Sequence, residues 1–227
     1  GAPGEEIVES ATRPVGNEGL ARKRALETVP VPAGDELVAV DLTAIDRKPE
    51  PAMDRTRQLA WVGMDEAPAV PVGDASAVAA HLDRGAVFHS VELLGAAGAV
   101  MDLAGDYAGQ REQFGQPIGG FQVLQHRMVD MYTATEQCRS LLVRALCSHS
   151  GGEAQAASDT AALKAMVGKH GRAVAEEAVQ LHGGMGVTEE LSIGDYLKRL
   201  MVIDTLFGDS DWQRRRFAAL RYGPQAA

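Results

Sequence analysis

Hydrophobic and polar positions follow two different patterns along the chain. Between residues 28 and 75, short apolar runs alternate with polar residues and are separated by Pro, Gly and Asp. This alternation, clearest in ELVAVDL and RQLAWVGM, indicates β-strands. From residue 76 to residue 227 prolines are rare and Ala, Leu, Glu and Arg dominate, which favours helices. We therefore expect a partial β domain over 28–75 and a helical domain over 76–227, with residues 1–27 left unassigned.

Loop signals divide the helical part into five helices. The first is expected over about 76–110, and the second follows the FGQPIGG break and ends near residue 148. The third begins near Ser158 or Asp159, which are candidate N-caps, and ends at a double glycine. A shorter helix over about 193–204 and a final one after Gly208 complete the set. Helices of this length with short loops favour an antiparallel bundle, so the predicted fold class is α+β, mainly α.

The first helix carries an apolar face at helical spacing, which we expect to be packed. The face comprises Val91, Leu94, Gly98 and Met101. Many Gly and Ala residues surround it, which is typical of close approach by another helix or by a ligand. Close helix packing and room for a bulky ligand explain these small residues equally well.

Composition narrows the functional classes. The formal net charge of −9 argues against nucleic-acid binding, because a protein that neutralises phosphates needs a positive field. The two cysteines, Cys138 and Cys147, fit neither a disulfide framework nor a metal site, so a reducing compartment is expected. No segment approaches the apolar length needed to cross a bilayer, and the acidic start does not resemble a signal peptide. We expect a cytoplasmic protein without metal, membrane or nucleic-acid partners.

Two segments carry candidate binding chemistry. In QREQFGQPIGGFQVLQ, residues 110–125, an arginine beside a glycine turn is able to hold a phosphate or pyrophosphate. The alternative is an ordinary corner between two helices with a surface arginine. In AVQLHGGMGV, residues 178–187, glycines let the backbone approach a ligand and present N–H groups to an anion. The alternative is a helix C-cap with a structural histidine, His182.

Taken together, the two segments resemble the C-terminal helical domain of the acyl-CoA dehydrogenase family. In that family RxxFG…FQ and QxxGGxG both contribute to an FAD site. The resemblance runs from about Leu37 to Phe217, because the β region is similar to the latter half of the family's middle β domain. HGGMGVTEE…YLKRLMVIDTLFGDSD resembles subunits of actinobacterial heteromeric (α2β2) enzymes for steroid side-chain CoA thioesters. Members usually begin with a helical domain for which this chain has no room, so we expect missing segments or a shortened subunit.

The resemblance implies a set of FAD-binding residues and an oligomer. Arg111 would hold the FAD pyrophosphate of a neighbouring subunit, because the site is shared across an interface. The adenosine side of that site would be lined by Gln113, Phe114, Ile118 and Gln122. The other face of the shared FAD would be met by Gln180, Leu181, Gly183 and Gly184. An acyl-CoA substrate and a homologous partner subunit in a heterotetramer, or alternatively a homo-oligomer, follow from the same resemblance.

The family's proton-abstracting glutamate has no counterpart at either of its usual positions. Counting from Gly184 without gaps, the glutamate of the EGT motif falls on Phe207, where FGDS replaces EGTS. The second position used in the family falls on Gly85. We therefore predict no catalytic residue in this chain. Four acids near these two positions are weak candidates for a displaced base: Glu92, Asp83, Asp209 and Asp211. Of these, Asp209 is expected to be a helix N-cap.

Three functions are compatible with this pattern. In the first, the chain is one subunit of a heteromeric acyl-CoA dehydrogenase whose partner supplies the glutamate. The second is a relative with other flavin chemistry, such as a monooxygenase or a nitroalkane oxidase, and the third is a non-catalytic assembly subunit. The retained Arg111, Phe114, Gln180 and Gly184 weigh against the third, since a bundle without flavin has no evident need of them. The acyl group of the substrate is not determined by these residues.

Overall fold

The computed structural model describes residues 5–9, 28–64 and 67–223. The chain forms two compact units, Gly1–His81 and Leu82–Ala227, which are described separately. Of the unassigned segment 1–27, only Glu5–Glu9 lies within the described residues, and it forms a strand.

The first unit consists of two three-stranded antiparallel sheets. One sheet has the order β1 (Glu5–Glu9), β5 (Leu59–Gly63), β4 (Arg47–Glu50), and the other the order β2 (Thr28–Ala33), β3 (Glu36–Asp41), β6 (Ala69–Gly73). A tight turn at Gly34, where φ is +63°, joins β2 to β3 so that Ala33 pairs with Glu36. The strands predicted in ELVAVDL and RQLAWVGM are confirmed as Glu36–Asp41 and Leu59–Gly63, and they bury Val40 and Val62 respectively.

The predicted series of five helices is confirmed. Their observed bounds are α1 Ala75–Gln110, α2 Gln122–Ser150, α3 Ala156–His182, α4 Ile193–Thr205 and α5 Ser210–Tyr222. A short hairpin, β7 Glu112–Gln113 and β8 Gln116–Pro117, separates α1 from α2. Helix α3 is central to the second unit, since it packs against α2, α4 and α5. The fold class predicted from the sequence, α+β and mainly α with a helical domain at the C-terminal side, is correct.

The packed face of α1 is displaced from the predicted one. Leu94 is buried and Met101 packs partly buried against the core, as expected, but Val91 is 46% exposed. The buried stripe combines large and very small side chains, because alanines let neighbouring helices approach closely. Apolar character alone therefore did not identify the face. The buried residues of α1 are Asp83, Ala86, Ser90, Leu93, Leu94, Ala97, Val100, Ala104 and Ala108.

The candidate N-caps Ser158 and Asp159 are wrong. Helix α3 begins at Ala156, so Ser158 and Asp159 lie inside its first turn and not at the position before it, where an N-cap lies. Asp159 is buried, and its carboxylate accepts hydrogen bonds from Arg144 Nε at 2.9 Å and Ser148 Oγ at 2.6 Å. These partners on α2 satisfy the carboxylate, so Asp159 ties α2 to α3 and does not cap the helix.

Among the described residues, one helix is long and apolar enough to cross a bilayer by length and composition alone, and that helix is α1. This departs from the expectation that no segment approaches that length. Leu93 and Val100 of α1 are fully buried in the hydrophobic core with residues of α2, α3 and α4. A helix packed in a protein core meets the same criterion of length and apolar composition, because its apolar residues pack against the neighbouring helices.

The two cysteines are expected to differ sharply in reactivity. Cys138 is buried, and burial raises the pKa of its thiol to about 11, whereas Cys147 is exposed. Because only the thiolate reacts, about a thousandth of Cys138 is reactive near pH 8. A thiol-specific reagent should therefore modify one cysteine of the native chain quickly and the second only after unfolding. Cys147→Ser should abolish the fast reaction, and fast modification of both thiols in the native chain would contradict this assignment.

Candidate functional site

The two sequence segments with binding chemistry lie at the same end of the helical unit. The rings of Tyr107 on α1 and His182 on α3 stack with their centroids 4.1 Å apart. Arg111 follows one turn after Tyr107 and donates its backbone N–H to the Tyr107 carbonyl at 2.8 Å. Gly183 comes directly after His182, whose Nδ1 lies 2.7 Å from the Ala178 carbonyl oxygen. The stack therefore fixes the ends of α1 and α3 beside each other. The first segment begins at the last residue of α1, and the second contains His182 itself.

The first segment is an exposed hairpin with a strained aromatic residue at its tip. Phe114 and Gly115 both have positive φ, +53° and +82°, which is the signature of a type I′ turn. A phenylalanine in this conformation costs on the order of 1–3 kcal/mol, and its side chain is 93% exposed. The Phe121 ring lies edge-on at 6.1 Å, and the Ile118 N–H closes the hairpin onto the Arg111 carbonyl at 2.8 Å. An exposed aromatic ring held at a strained turn indicates a ligand or partner rather than a core role.

The other predicted residues of this segment divide into exposed and supporting groups. Arg111, Gln113 and Gln122 are exposed, and the Gln113 side chain donates to the Glu112 carbonyl at 2.7 Å. Ile118 is buried and anchors the segment to the bundle.

The second segment turns the chain sharply after α3. Gly183 has φ +59° and ψ −139°, and its N–H donates to the Gln180 carbonyl. Gln180, Gly183 and Gly184 are exposed, whereas Leu181 is buried and belongs to the hydrophobic core. A Cβ at Gly186 would lie 2.5 Å from the Val179 carbonyl oxygen, so the turn packs against the end of α3. Exposed glycine backbone is thus available to a ligand on the same end of the unit as Arg111.

The two residues that the sequence count assigns to the family's base, Phe207 and Gly85, are in contact with each other. Phe207 lies in the loop between α4 and α5 with φ +54°, and its ring packs against Gly85 on α1. A Cβ at Gly85 would lie 2.1 Å from Phe207 Cε1, so the ring fills the space that a side chain at residue 85 would need. The His89 ring lies beside it, with centroids 5.2 Å apart. Neither position carries a group that accepts a proton.

Each weak candidate for a displaced base is engaged in another role. Glu92 accepts from Arg199 Nε at 2.9 Å, and its other oxygen lies 3.7 Å from His89 Nδ1. Asp83 pairs with Arg216 at 2.7 Å, and Asp211 lies on the surface near Arg214. Asp209 caps α5, because its carboxylate accepts the Trp212 N–H at 2.7 Å, as predicted from the sequence.

Sequence reasoning missed a buried lysine behind the loop that carries Phe207. Lys164 on α3 is fully buried, and its Nζ donates to the carbonyls of Asp204 at 2.7 Å and Gly208 at 3.1 Å. Burial lowers the pKa of Lys164, and the nearby Asp204 carboxylate opposes that shift. The available signal was its position between Leu163 and Val167 on the apolar side of α3. No group of three or more metal-binding side chains occurs within the described part of the chain.

Comparison with known proteins agrees with this geometry. A family model described as "Acyl-CoA dehydrogenase, C-terminal domain" matches residues 75–220. "Acyl-CoA dehydrogenase IpdE2" of Mycolicibacterium smegmatis is 36% identical over 173 residues, covering 76% of this chain and 52% of that protein. The protein of the same name from Mycobacterium tuberculosis is 34% identical over 157 residues, covering 69% of this chain and 46% of that protein. The chain therefore spans about half the length of these curated relatives.

Solved structures show the same fold. The structure "Tcur3481-Tcur3483 steroid ACAD G363A variant" superimposes with a TM-score of 0.78 at 26% identity, covering 88% of this chain and 55% of that one. The matched family model covers more than half of the chain, and the helical unit has the fold of these structures. The chain belongs to the acyl-CoA dehydrogenase family, whose members are FAD-dependent oxidoreductases acting on CH–CH bonds.

Proposed function

We propose that this chain is a subunit of an FAD-dependent acyl-CoA dehydrogenase that acts together with a homologous partner subunit. The reaction is the α,β-desaturation of an acyl-CoA thioester. The observation that carries the proposal is the common end of the helical unit, where the Tyr107–His182 stack places the exposed Arg111 hairpin beside the exposed turn at Gly183.

The exposed groups at this end suit the parts of FAD. Arg111 offers a permanently charged, planar donor for the pyrophosphate, and the glycine turn offers backbone that a ligand approaches closely. Phe114 offers an aromatic face to the adenosine side. When bound, FAD supplies the acceptor for the hydride that leaves the β-carbon of the substrate. The full proposed set is Arg111, Gln113, Phe114, Ile118, Gln122, Gln180, Leu181, Gly183 and Gly184.

A second subunit is needed because all of these groups except the buried Ile118 and Leu181 are exposed. Cofactor sites usually bury most of the ligand surface, whereas Phe114 is 93% exposed and Arg111 lies beyond the end of α1. A cofactor bound here needs another chain to cover it. The structure "Tcur3481-Tcur3483 steroid ACAD G363A variant" bears a name that joins two proteins, which supports a heteromer, proposed here as a heterotetramer.

The partner is also proposed to supply the base. Phe207 has no proton acceptor, and Glu92, Asp83 and Asp209 are held in ion pairs or a helix cap. A steroid side-chain CoA thioester is the proposed substrate class, on the likeness to a steroid enzyme. A cytoplasmic location is part of the same proposal.

Purification alone and with a partner tests the function. We expect the chain expressed alone to be colourless, and the chain co-expressed with a homologous acyl-CoA dehydrogenase encoded beside it to be yellow. The pair should bleach its flavin absorbance when octanoyl-CoA or a steroid side-chain CoA thioester is added without oxygen. The matched control is the partner alone, which should bind less flavin than the pair.

The outcomes separate this proposal from the alternatives. A yellow chain that reduces its flavin alone with an acyl-CoA would overturn the requirement for a partner. Flavin that is bleached by a nitroalkane but by neither thioester would favour the nitroalkane oxidase. A stable pair that carries no flavin would favour the assembly subunit.

A further inference from the structure

The loop that carries Phe207 is held from both sides by one buried cation. Lys164 Nζ donates to the carbonyl of Asp204 at 2.7 Å and to that of Gly208 at 3.1 Å, so its two bonds bracket residue 207. Its side chain is fully buried. A buried ammonium is unfavourable unless its donors are satisfied, and these carbonyls, with the Asp204 carboxylate at 3.6 Å, satisfy it.

Further contacts restrict the same loop. Gln213 Nε2 donates to the Phe207 carbonyl at 2.6 Å, and Ser210 Oγ donates to Asp204 Oδ1 at 2.9 Å. Gly168, one helical turn after Lys164, leaves the space that Asp204 and Ser210 occupy, since a Cβ there would lie 1.9 Å from Asp204 Oδ1. The backbone on each side of residue 207 is thus fixed to α3 and α5, while its side chain contacts α1.

We propose that Lys164 is a positioning residue that holds the side chain at position 207 against Gly85 of α1. It thereby fixes where the side chain of residue 207 lies, and here that side chain is an aromatic ring that closes the space beside Gly85. The functional meaning rests on the function proposed above, because that function identifies residue 207 with the position of the base. The positioning itself depends only on residues of this chain and needs neither the partner subunit nor the cofactor. The same bonds would hold any other side chain placed at residue 207.

A cycle of substitutions at Gly85 and Phe207 measures this positioning. In the otherwise unchanged chain, Gly85→Ala should lower the denaturant midpoint of unfolding, because the new methyl group meets the Phe207 ring. In Phe207→Ala the same Gly85→Ala should raise the midpoint, because the clash is gone and alanine is the better helix former. The effect of Gly85→Ala therefore changes sign with the residue at 207.

Lys164→Met then tests the lysine. If Lys164 positions the loop, the ring is able to move away from α1 in this variant, and the penalty of Gly85→Ala should shrink towards zero. Lys169→Met, an exposed lysine on the same helix, is the matched control and should leave the penalty unchanged. An undiminished penalty in Lys164→Met would show a merely structural lysine and overturn the proposal.

A second variant covers the case in which Lys164→Met does not fold. Lys164→Gln keeps a neutral donor that is too short to bridge both carbonyls, so the penalty of Gly85→Ala should again be reduced. The ring-current shift of the His89 side-chain protons, which reports the Phe207 ring beside it, should decrease in the same variant. An unchanged shift together with an unchanged penalty would contradict the proposal. These measurements use no flavin, partner or substrate, so their failure is distinguishable from failure of the proposed function.

Discussion

Arg111→Ala is expected to remove most of the FAD from the complex of this chain with its partner. A hydrogen bond between charged groups contributes about 1.5–3 kcal/mol, which corresponds to roughly a 10- to 100-fold weaker affinity. The chain itself should fold normally, because the Arg111 side chain is exposed. The ratio of flavin absorbance to protein after gel filtration measures the loss.

Two further variants control the Arg111 experiment. Arg139→Ala removes another exposed arginine of the helical unit, one that pairs with Glu136 on its own helix, and should leave the flavin content unchanged. Arg111→Lys keeps the charge but not the planar pair of donors, so an intermediate flavin content is expected. Full flavin retention in Arg111→Ala would refute the assignment of this residue to the pyrophosphate.

Gly168→Ala is expected to cause the largest loss of stability among single methyl additions in the helical unit. The added Cβ would lie 1.9 Å from Asp204 Oδ1 and 2.4 Å from Ser210 Oγ, so these side chains, or the ends of α4 and α5 that carry them, have to move. Overpacking of this kind costs about 1–3 kcal/mol against a gain of about 1 kcal/mol in helix propensity, so a net loss of up to about 2 kcal/mol is expected. Denaturation of the purified chain, followed by circular dichroism, measures the change.

Gly95→Ala on α1 provides the matched control for Gly168→Ala. Apart from its chain neighbours and the nearby backbone of α1, no atom of the described residues lies within 4 Å of the position that its Cβ would take. This substitution should therefore stabilise the chain by up to about 1 kcal/mol through helix propensity. Equal effects of the two substitutions would mean that the close approach of Asp204 to α3 is absent in solution.

Two aspartates near helix starts show how far local pattern reasoning reaches. Asp209 was expected to cap α5 and does so, because its partner, the Trp212 N–H, lies three residues along the chain. Asp159 was expected to cap α3 and instead binds Arg144 and Ser148 on α2. A helix cap can be predicted from the sequence because it joins residues that are close along the chain. The prediction fails where a residue from another helix binds the same carboxylate.

The residues of the candidate site also differ in whether the sequence alone identifies them. The motif residues Arg111, Phe114 and Gly183 could be identified from the sequence through residue type, spacing and family resemblance. Lys164 could not, because the carbonyls that it holds belong to a loop that only the fold brings to α3. A lysine in a helix is ordinarily a surface residue, and that expectation outweighs the one signal of burial in the sequence, its position on the apolar side of α3.

By itself, the sequence determined the order and approximate bounds of the five helices and of the strands in ELVAVDL and RQLAWVGM, because periodicity and turn residues act over a few positions. It also determined the family resemblance that the comparisons confirm. Only the tertiary structure decided which face of α1 is packed and that Phe207 meets Gly85. These are contacts between segments far apart in the chain, and they depend on how closely side chains of particular sizes allow helices to approach.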